Sequence, residues 1–405
     1  QAEVEQTAQE LPELDGSVLV EARGFFAQAV LFFALQKKDC LPVLLHHGLK
    51  DEAIAEIVRE NRLQACIRPG SPVQVRRYTF PLCRHEEADC LGVLSSGSTG
   101  TPKVMYRTYE SWAGYFPEQN RIFQVTAASR LFLQGNLSFT GNMNTFLSVL
   151  YAGGMVLTSD SLYARRWQRL LIQGCANVLY LVPAKLQLWL ERVKEPLTAI
   201  KVVFTGSQLL SRTALEQLQA VVPQAQILLY YGASELNYIT YAVCEDPARD
   251  PMNLGKPFPG VKLDIQGDTI YVTTKYHVSG TPMPFTIEDT GHLNEAGELI
   301  FTGRRQNWIN KGGFKISCTK VELELKDITE IQDAVVLPYA DPLRGHEIAA
   351  FLVAEEQDEA LLRKKIRHEL PAVDVPGRIL FLETIPLNDR GKVDRPVLEN
   401  LLQSR

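Results

Sequence analysis

The sequence predicts an α/β fold: a large N-terminal domain of mixed and parallel sheets flanked by helices, with a small antiparallel barrel-like region, followed by a small α+β C-terminal domain. Short runs rich in β-branched residues alternate with segments in which apolar residues recur every three to four positions. From about residue 260, short strands joined by Gly and Asn turns take over. The length of 405 residues is too great for one ordinary core.

The first part of the chain follows the strand, helix, strand spacing of a parallel sheet covered by helices. Its first helix, FFAQAVLFFAL at 25–35, is too short to cross a bilayer and is expected to be buried. Further helices are expected at 164–174 and 211–222. The predicted strands are VLLHH (43–47), GVLSS (92–96), GMVLTS (154–159), NVLYLV (177–182), KVVFTG (201–206) and ILLYYG (227–232).

The second part reads as two hairpins and a compact final block. The hairpins are expected at 261–274 and 291–305, with QGD and NEAG as their turns. The block contains predicted helices near 319–328 and at 359–370, and predicted strands at 334–340, 349–355 and 378–386. We therefore expect a large domain over 1–304 and a small one over 305–405.

Charge and cysteine usage limit the possible functions. A formal charge of −5 without any basic block argues against nucleic-acid binding as the main function. The seven cysteines are scattered, odd in number and contain no C-x-x-C pair, which fits reduced thiols in a cytosol. No export signal or membrane span is visible, so we expect a cytoplasmic protein.

A glycine-rich segment, SSGSTGTPK at 95–103, follows one of the predicted strands. Such a stretch alone is typical of a polar turn, but glycine amides can approach an anion closely and Lys103 supplies a positive charge. It is not a Walker motif, because Pro102 interrupts the spacing and Val104 stands where Ser or Thr is required. No G-x-G-x-x-G follows a strand either, which argues against a dinucleotide site.

Three further segments are weak signals in isolation. YYGASE at 230–235 is a tyrosine-rich strand end with one carboxylate. EDTGHL at 288–293 reads as an Asx-turn headed by Asp289. PLNDRGKVDR at 386–395 contains a lysine in a loop, where most lysines are simply solvated. Each has an ordinary structural interpretation when taken alone.

In this order and at this spacing, the four segments resemble the motifs of the adenylate-forming (AMP-binding) superfamily. That superfamily includes acyl-CoA synthetases, adenylation domains of peptide synthetases, and luciferases. SSGSTGTPK is similar to its phosphate loop, YGASE to its adenine and magnesium motif, DTGHL to its ribose motif, and PLNDRGKVDR to its catalytic-lysine motif. GRRQNWINKGGFKISCTKVE at 303–322 resembles the hinge and the start of a mobile small domain.

The resemblance implies an AMP-forming acid–thiol ligase. A carboxylic acid would attack the α-phosphate of ATP, giving an acyl-adenylate, and a pantetheine thiol of CoA or of a carrier protein would then displace AMP. Mg²⁺ would be held by Glu235, and Lys392 would reach the reacting oxygens only when the small domain is swung in. The other implied ATP-binding residues are Ser95, Ser96, Gly97, Ser98, Thr99 and Gly100 around the phosphates with Lys103 as countercharge, Tyr231, Gly232 and Ser234 near adenine, and Asp289 with Arg304 at the ribose.

The same resemblance marks the hinge and the pantetheine contact. Gln306 occupies the hinge position, where the family usually has Asp or Lys, so the ease of rotation is open. Gly312 and Gly313 would offer backbone to a pantetheine arm, although two glycines there could also simply form a hairpin.

An acyl pocket is implied in the segments 134–146 and 204–208. Its candidate residues are Phe139, Thr140, Asn142, Asn144, Gly206 and Gln208. Thr140 stands where amino-acid-activating domains carry an ammonium-binding Asp, and an unpaired buried ammonium is costly. Phe139 would form an aromatic gate to this pocket, as the resemblance to acyl-CoA synthetases implies. We therefore expect an aryl or fatty acid as the small-molecule partner.

Two alternatives stay open. One is a stand-alone amino-acid adenylation enzyme. The other is a catalytically impaired nucleotide-binding homologue that acts as a binding protein, which Gln306 and a shortened N-terminal region would favour. Only 94 residues precede the phosphate loop here, whereas the family usually has a longer region.

Overall fold

A computed structural model of the chain describes residues 1–45, 49–70, 72–80, 89–94, 102–311, 314–341, 345–354, 359–387 and 393–404, with the exception of the side chain of Gln306. The expected α/β class is confirmed, with four sheets over the described residues. Of the predicted site residues, Ser95, Ser96, Gly97, Ser98, Thr99, Gly100, Gly312, Gly313 and Lys392 lie outside the described residues.

The first sheet has six strands in the order β4-β3-β1-β2-β5-β6. Strands β3, β1, β2 and β5 are mutually parallel, while β4 and β6 join the edges antiparallel. The strands are β1 Ser17–Val20, β2 Leu41–Leu44, β3 Ala65–Arg68, β4 Gln74–Arg77, β5 Asp89–Leu94 and β6 Val104–Thr108. The helices in this region are α1 Ala2–Glu10, α2 Phe25–Gln36 and α3 Asp51–Glu60.

The second sheet has seven strands in the order β13-β12-β11-β10-β9-β7-β8. Its strands are β7 Arg130–Gln134, β8 Met155–Ser159, β9 Val178–Tyr180, β10 Val202–Gly206, β11 Gln226–Ala233, β12 Asn237–Val243 and β13 Lys256–Pro257. Its helices are α4 Tyr109–Trp112, α5 Phe116–Ile122, α6 Thr140–Tyr151, α7 Ala164–Gln173, α8 Pro183–Leu190 and α9 Arg212–Val221, with a 3₁₀ turn at Ala113–Tyr115.

Five strands of this second sheet, β8, β7, β9, β10 and β11, run parallel. Their carboxyl ends therefore meet at one edge, where the segments after β7, β10 and β11 lie side by side. These are the segments that the sequence marked as acyl-pocket and adenine motifs, so the topology explains why motifs far apart in sequence share one location.

The remaining sheets are antiparallel or mixed. The third, in the order β14-β15-β16-β17, comprises β14 Val261–Gln266, β15 Thr269–Thr274, β16 Asp289–Leu293 and β17 Leu299–Arg304. The fourth has β18 Trp308–Lys311, β19 Phe314–Ser317, β20 Ile331–Asp341, β21 Gly345–Ala354 and β22 Arg378–Phe381. Its helices are α10 Cys318–Lys326, α11 Glu359–Glu369 and α12 Arg395–Gln403, and a 3₁₀ turn at Arg305–Asn307 precedes β18.

Strand β21 shows how the C-terminal region builds its core. Alternate side chains point to opposite faces of a strand. Ile348, Ala350 and Leu352 accordingly pack into a cluster with residues of α10 and α11. Ala349 and Phe351 face the other side, in a cluster with residues of α12. Both faces of β21 are therefore covered by side chains of the C-terminal region.

The structure corrects several details of the sequence interpretation. The first predicted strand, 43–47, is shifted, because β2 spans Leu41–Leu44. Asp289 does not head a turn but begins β16 and is buried. Helix α12 was not predicted, because its start lies within the catalytic-lysine motif; Asp394 caps it by accepting a hydrogen bond from the Val397 N–H.

Helix α2, the most apolar segment of the sequence, lies in the main hydrophobic core, as expected. In the described part of the chain, the structure contains no helix that combines the length and the apolar character of a membrane span.

We expect Phe351→Ala to lower the free energy of unfolding by about 3 to 5 kcal/mol, because Phe351 is fully buried and its loss leaves a cavity. The control Leu361→Ala, on the exposed side of α11, should change it by less than about 0.5 kcal/mol. Urea unfolding followed by circular dichroism measures both. A loss below about 1 kcal/mol for Phe351→Ala would contradict this packing.

Candidate active site

A buried carboxylate lies where the second and third sheets meet. Asp289, the first residue of β16, is only 1% exposed. The phenol of Tyr231, near the end of β11, donates a 2.7 Å hydrogen bond to its Oδ2. The guanidinium Nε of Arg304, at the end of β17, lies 3.3 Å from Oδ1 as an ion pair. Three predicted ATP-binding residues from three different strands thus come together.

The electrostatics of this group follow from its burial. Desolvation raises the pKa of Asp289, while the charge of Arg304 and the hydrogen bond from Tyr231 act in the opposite direction. Burial and the neighbouring carboxylate also raise the pKa of Tyr231 well above its usual value, so the phenol remains a donor at neutral pH. Oδ1 accepts no hydrogen bond in the structure, despite the nearby Arg304. A sugar hydroxyl is a donor that would satisfy it.

Gly232 is required by close packing of the chain on itself. The β11–β12 ladder shifts register between Tyr231 and Gly232. A Cβ added at Gly232 would lie 2.5 Å from the backbone oxygen of Asn237 on β12. A glycine at this position therefore has a structural reason that is independent of any adenine ring.

A buried arginine that the sequence analysis missed holds the YGASE segment in place. Arg107, in β6, is completely buried and donates hydrogen bonds to the backbone oxygens of Ser234 (2.5 Å) and Tyr276 (3.1 Å). Its guanidinium also lies 5.0 Å from the centre of the Trp112 ring. Burial lowers the pKa of Arg107 to about 9, and the charge of Glu235 opposes that shift.

Glu235, the predicted magnesium ligand, directly follows the segment that Arg107 holds. Its backbone oxygen accepts a 2.9 Å hydrogen bond from the Val278 N–H. Across the described residues, no three His, Cys, Asp or Glu side chains form a group that could hold a metal ion. Magnesium commonly binds through one or two carboxylates together with substrate phosphates, so a single carboxylate fits such a site.

The exit of the phosphate-loop segment is fixed by an asparagine from α3's C-terminal end. The side chain of Asn61 donates a 2.9 Å hydrogen bond to the Pro102 oxygen and accepts a 2.8 Å hydrogen bond from the Val104 N–H. These two bonds hold the backbone on both sides of Lys103, whose side chain is exposed. Asn61 carried no local sequence signal, because its partners are more than 40 residues away.

The predicted acyl-pocket residues divide into two groups. Thr140 and Ser234 are joined through their hydroxyls at 3.1 Å, which links the start of α6 to the end of β11. Phe139 immediately precedes α6 and is partly buried. Gln208 accepts a 3.2 Å hydrogen bond from the Ala184 N–H at the start of α8. These contacts place four of the predicted residues around the carboxyl edge of the second sheet.

The other pocket candidates have clear structural partners. Asn144 is buried and donates a 2.7 Å hydrogen bond to Asn237 Oδ1, which ties α6 to β12. Gly206 packs against Tyr230, because an added Cβ would lie 2.5 Å from that ring. Asn142 donates to the backbone oxygen of Asn136 at 2.9 Å.

A second missed residue is Lys185, in the first turn of α8. Its ammonium donates a 3.0 Å hydrogen bond to the backbone oxygen of Gln134, at the end of β7. Burial lowers the pKa of Lys185 to about 8. Only the unusual position of a lysine among the apolar residues of LVPAKLQLWL could have signalled it from sequence.

We expect Arg107→Met to lower the free energy of unfolding by about 2 to 4 kcal/mol, because it removes the buried donor of the Ser234 and Tyr276 carbonyls. Arg121→Met is the matched control: Arg121 is exposed and pairs with Glu118 on its own helix, so the change should stay within about 0.5 kcal/mol. Urea unfolding measures both. Equal urea midpoints for Arg107→Met and the unmodified protein would refute this role of Arg107.

Comparison with known proteins places this geometry in a family. A family model described as "AMP-binding enzyme" matches residues 78–275, and one described as "AMP-binding enzyme C-terminal domain" matches residues 320–392. In structure, the chain is similar to o-succinylbenzoate CoA synthetase from Bacillus subtilis in complex with its acyl-adenylate, with a TM-score of 0.82 at 17% identity over 98% of this chain and 92% of that chain.

Curated relatives carry several ligase activities. The chain is 26% identical to the uncharacterized acyl–CoA ligase YhfT of Bacillus subtilis, over 76% of this chain and 68% of the relative. It is 25% identical to the vibriobactin-specific 2,3-dihydroxybenzoate-AMP ligase of Vibrio cholerae (75% and 62%) and 25% identical to the D-alanine–D-alanyl carrier protein ligase of Lactococcus lactis (76% and 68%). The chain therefore belongs to the adenylate-forming superfamily, as an AMP-forming acid–thiol ligase.

Proposed function

We propose that the chain activates an aryl or fatty carboxylic acid with ATP and passes the acyl group to a pantetheine thiol of CoA or of a carrier protein. The observation that carries the proposal is the buried acceptor Asp289, held by Tyr231 and Arg304 beside the Ser234–Glu235 segment. A relative named as a 2,3-dihydroxybenzoate-AMP ligase supports an aryl acid, while relatives named as an acyl–CoA ligase and a D-alanyl carrier protein ligase support the two acceptors.

In the first step, a carboxylate oxygen of the acid attacks the α-phosphorus of ATP, and the bond to the bridging oxygen breaks to release pyrophosphate. An anion must approach a polyanion, so positive charge and amide donors have to offset the repulsion. We assign that task to the backbone of 95–100 and to Lys103 and Lys392. Mg²⁺, held by Glu235, would supply further charge neutralisation when bound.

The adenosine end would be held by the group seen in the structure. Asp289 would accept hydrogen bonds from the ribose hydroxyls through its unsatisfied Oδ1, while Tyr231 and Arg304 keep it in position. Ser234 would contact the nucleotide near adenine. Because the carboxylate is buried before ligand arrives, this end of the site is already organised.

In the second step, the thiolate sulfur attacks the acyl carbonyl carbon and AMP leaves with the bond pair, while the thiol proton passes to solvent. We propose that the small domain, residues 305–405, rotates about Gln306 between the steps. The segment around Gly312 and Gly313 would then approach the pantetheine arm. The flanking strands β18 and β19 pair antiparallel, with Lys311 opposite Phe314.

The absence of a carboxylate from 134–146 supports an acid without an α-amino group. Thr140, at the position of the ammonium-binding Asp, is instead bonded to Ser234. Stand-alone amino-acid adenylation is therefore the weaker alternative.

Acid-dependent ATP–pyrophosphate exchange tests the proposal, with a panel of aryl, fatty and α-amino acids. We expect exchange with aryl or fatty acids, and a loss of at least about 100-fold in Lys392→Ala, because that lysine would stabilise the charge that develops in adenylation. Lys262→Ala, an exposed lysine on β14, is the control and should exchange normally.

Other outcomes of the same assay are equally decisive. Exchange with α-amino acids alone would contradict the interpretation of Thr140. ATP binding without exchange for any acid would favour the impaired, binding-protein alternative. Unchanged exchange in Lys392→Ala would remove the assigned role of that lysine.

Asp289→Asn and Tyr231→Phe should each weaken ATP binding by about 10- to 100-fold, because each removes a hydrogen bond that involves a buried charge. Tyr231→Phe also removes a donor that favours the ionised carboxylate, so the pKa of Asp289 should rise further. The acid-side loss of ATP affinity should then begin at a higher pH than in the unmodified protein.

Titration calorimetry between pH 5 and pH 8 measures both effects. Asp264→Asn, an exposed carboxylate on strand β14 of the same sheet, is the control and should leave ATP affinity unchanged. If Tyr231→Phe lowered ATP affinity without raising the pH at which that affinity begins to fall, the proposed coupling between Tyr231 and Asp289 would be refuted.

A further inference from the structure

Lys185 is a partly buried cation in the wall of the proposed acyl pocket. An ammonium can donate three hydrogen bonds. Within the described part of the chain, the structure gives this one a single hydrogen bond, to the backbone oxygen of Gln134. A neutral side chain could make that one bond, so the bond alone does not account for a positive charge at this position.

No described carboxylate balances the charge. Burial alone lowers the pKa of Lys185 to about 8, without a contribution from any acidic side chain among the described residues. The ammonium is therefore largely protonated at neutral pH. A cation that is largely withdrawn from water without a counter-charge is costly, and proteins usually pair such groups with an anion.

The groups around Lys185 form a compact polar cluster. The Lys185 ammonium and the Asn142 amide nitrogen both lie close to Gly135. A Cβ added at Gly135, which has a φ of 114°, would lie 2.9 Å from each nitrogen. The buried Oε1 of Gln134 has no hydrogen-bond partner. The neighbouring Ala184 N–H is bound by Gln208. The Asn142 amide already donates to the backbone oxygens of Asn136 and Gln134, so the ammonium is the group in this cluster that has donors to spare.

We propose that Lys185 is the counter-charge for a second carboxylate on the acid substrate, at the end remote from the carboxyl group that is adenylated. This inference rests on the proposed function, because it assumes that 134–146 and 204–208 line the acyl pocket. The second carboxylate would pair with the ammonium and accept hydrogen bonds from its remaining N–H groups. The substrate class is then a dicarboxylic acid, with an aryl or aliphatic framework, instead of a simple monoacid.

Matched sets of acids test the proposal by ATP–pyrophosphate exchange. One set is benzoate, 3-carboxybenzoate and 3-carbamoylbenzoate; the other is hexanoate, adipate and the monoamide of adipate. We expect the diacid of at least one set to have the highest kcat/KM. Lys185→Met should lower that value by on the order of 30-fold or more, mainly through KM, because a desolvated charge pair is lost. Lys185→Arg should retain most of it.

The monoacids and monoamides provide the discriminating comparison. Lys185→Met should change their kcat/KM by less than about 3-fold, since they make no charge pair with the ammonium. Lys201→Met is the matched control: Lys201 also donates to a backbone oxygen, that of Thr198, but it is exposed and outside the pocket. An equal loss for monoacids and diacids, or no preference for diacids, would show a purely structural tie between α8 and β7 and overturn the proposal.

Direct binding separates this inference from the proposed function. Titration calorimetry with the same acids, in the presence of ATP and without turnover, should show tighter binding of a diacid and its loss in Lys185→Met. If no acid supports exchange, the proposed function fails, yet the Lys185 site is still judged by this binding. If neither diacid binds, or Lys185→Met binds it equally well, the inference is wrong.

Discussion

A single buried guanidinium connects three sheets of this molecule. Arg107 belongs to the first sheet, Ser234 follows the last parallel strand of the second, and Tyr276 follows β15 of the third. Burying a charge is costly unless its donors find acceptors, and here backbone oxygens accept from both terminal nitrogens of the guanidinium, whereas its Nε has no partner among the described residues. Further bonds join the same elements: the Val278 N–H binds the Glu235 oxygen, and the Ser279 N–H binds the Tyr106 oxygen. The position of the Ser234–Glu235 segment depends on this junction.

Individual strands and hairpins could be predicted from the sequence, whereas the junction around Arg107 could not. Apolar runs predicted the parallel strands β5, β8, β9, β10 and β11 and, with a shift, β2, but they did not predict β1, β3 or β7. The hairpin turns at 267 and 297 predicted the third sheet, because each pattern lies within a few residues. Arg107 and its two partners are 127 and 169 residues apart in sequence. No short pattern encodes a contact of that separation, and Asn61 and Lys185 escaped notice for the same reason.

The motifs predicted which residues belong to the candidate site, but they did not show which of them also support the fold. Asn142, Asn144 and Gln208 looked equivalent as polar residues that could contact a substrate. In the structure, Asn144 is bonded to Asn237, which stands at a φ of 65° at the start of β12, so it supports the fold. Asn142 also has backbone partners, because its amide nitrogen donates to the oxygens of Asn136 and Gln134. Gln208 accepts a hydrogen bond from the Ala184 N–H. All three side chains therefore have structural partners, which residue type alone could not show.

Hydrogen bonds join the small domain of the proposed rotation to the rest of the chain. In the arrangement seen here, Trp308 donates to Thr290, next to Asp289, and Ser317 donates to the Thr302 oxygen. Asp327 accepts hydrogen bonds from two backbone N–H groups, of Arg212 and Thr213, at the start of α9.

Hydrogen bonds of this kind contribute about 0.5 to 1.5 kcal/mol each, because water replaces them when they break. A few such contacts hold one arrangement without making the alternative inaccessible. Differences of a few kcal/mol are within the reach of a ligand that binds one arrangement better than the other. The contact between Trp308 and the strand carrying Asp289 then provides a direct physical route by which nucleotide at Asp289 could influence the orientation of the small domain.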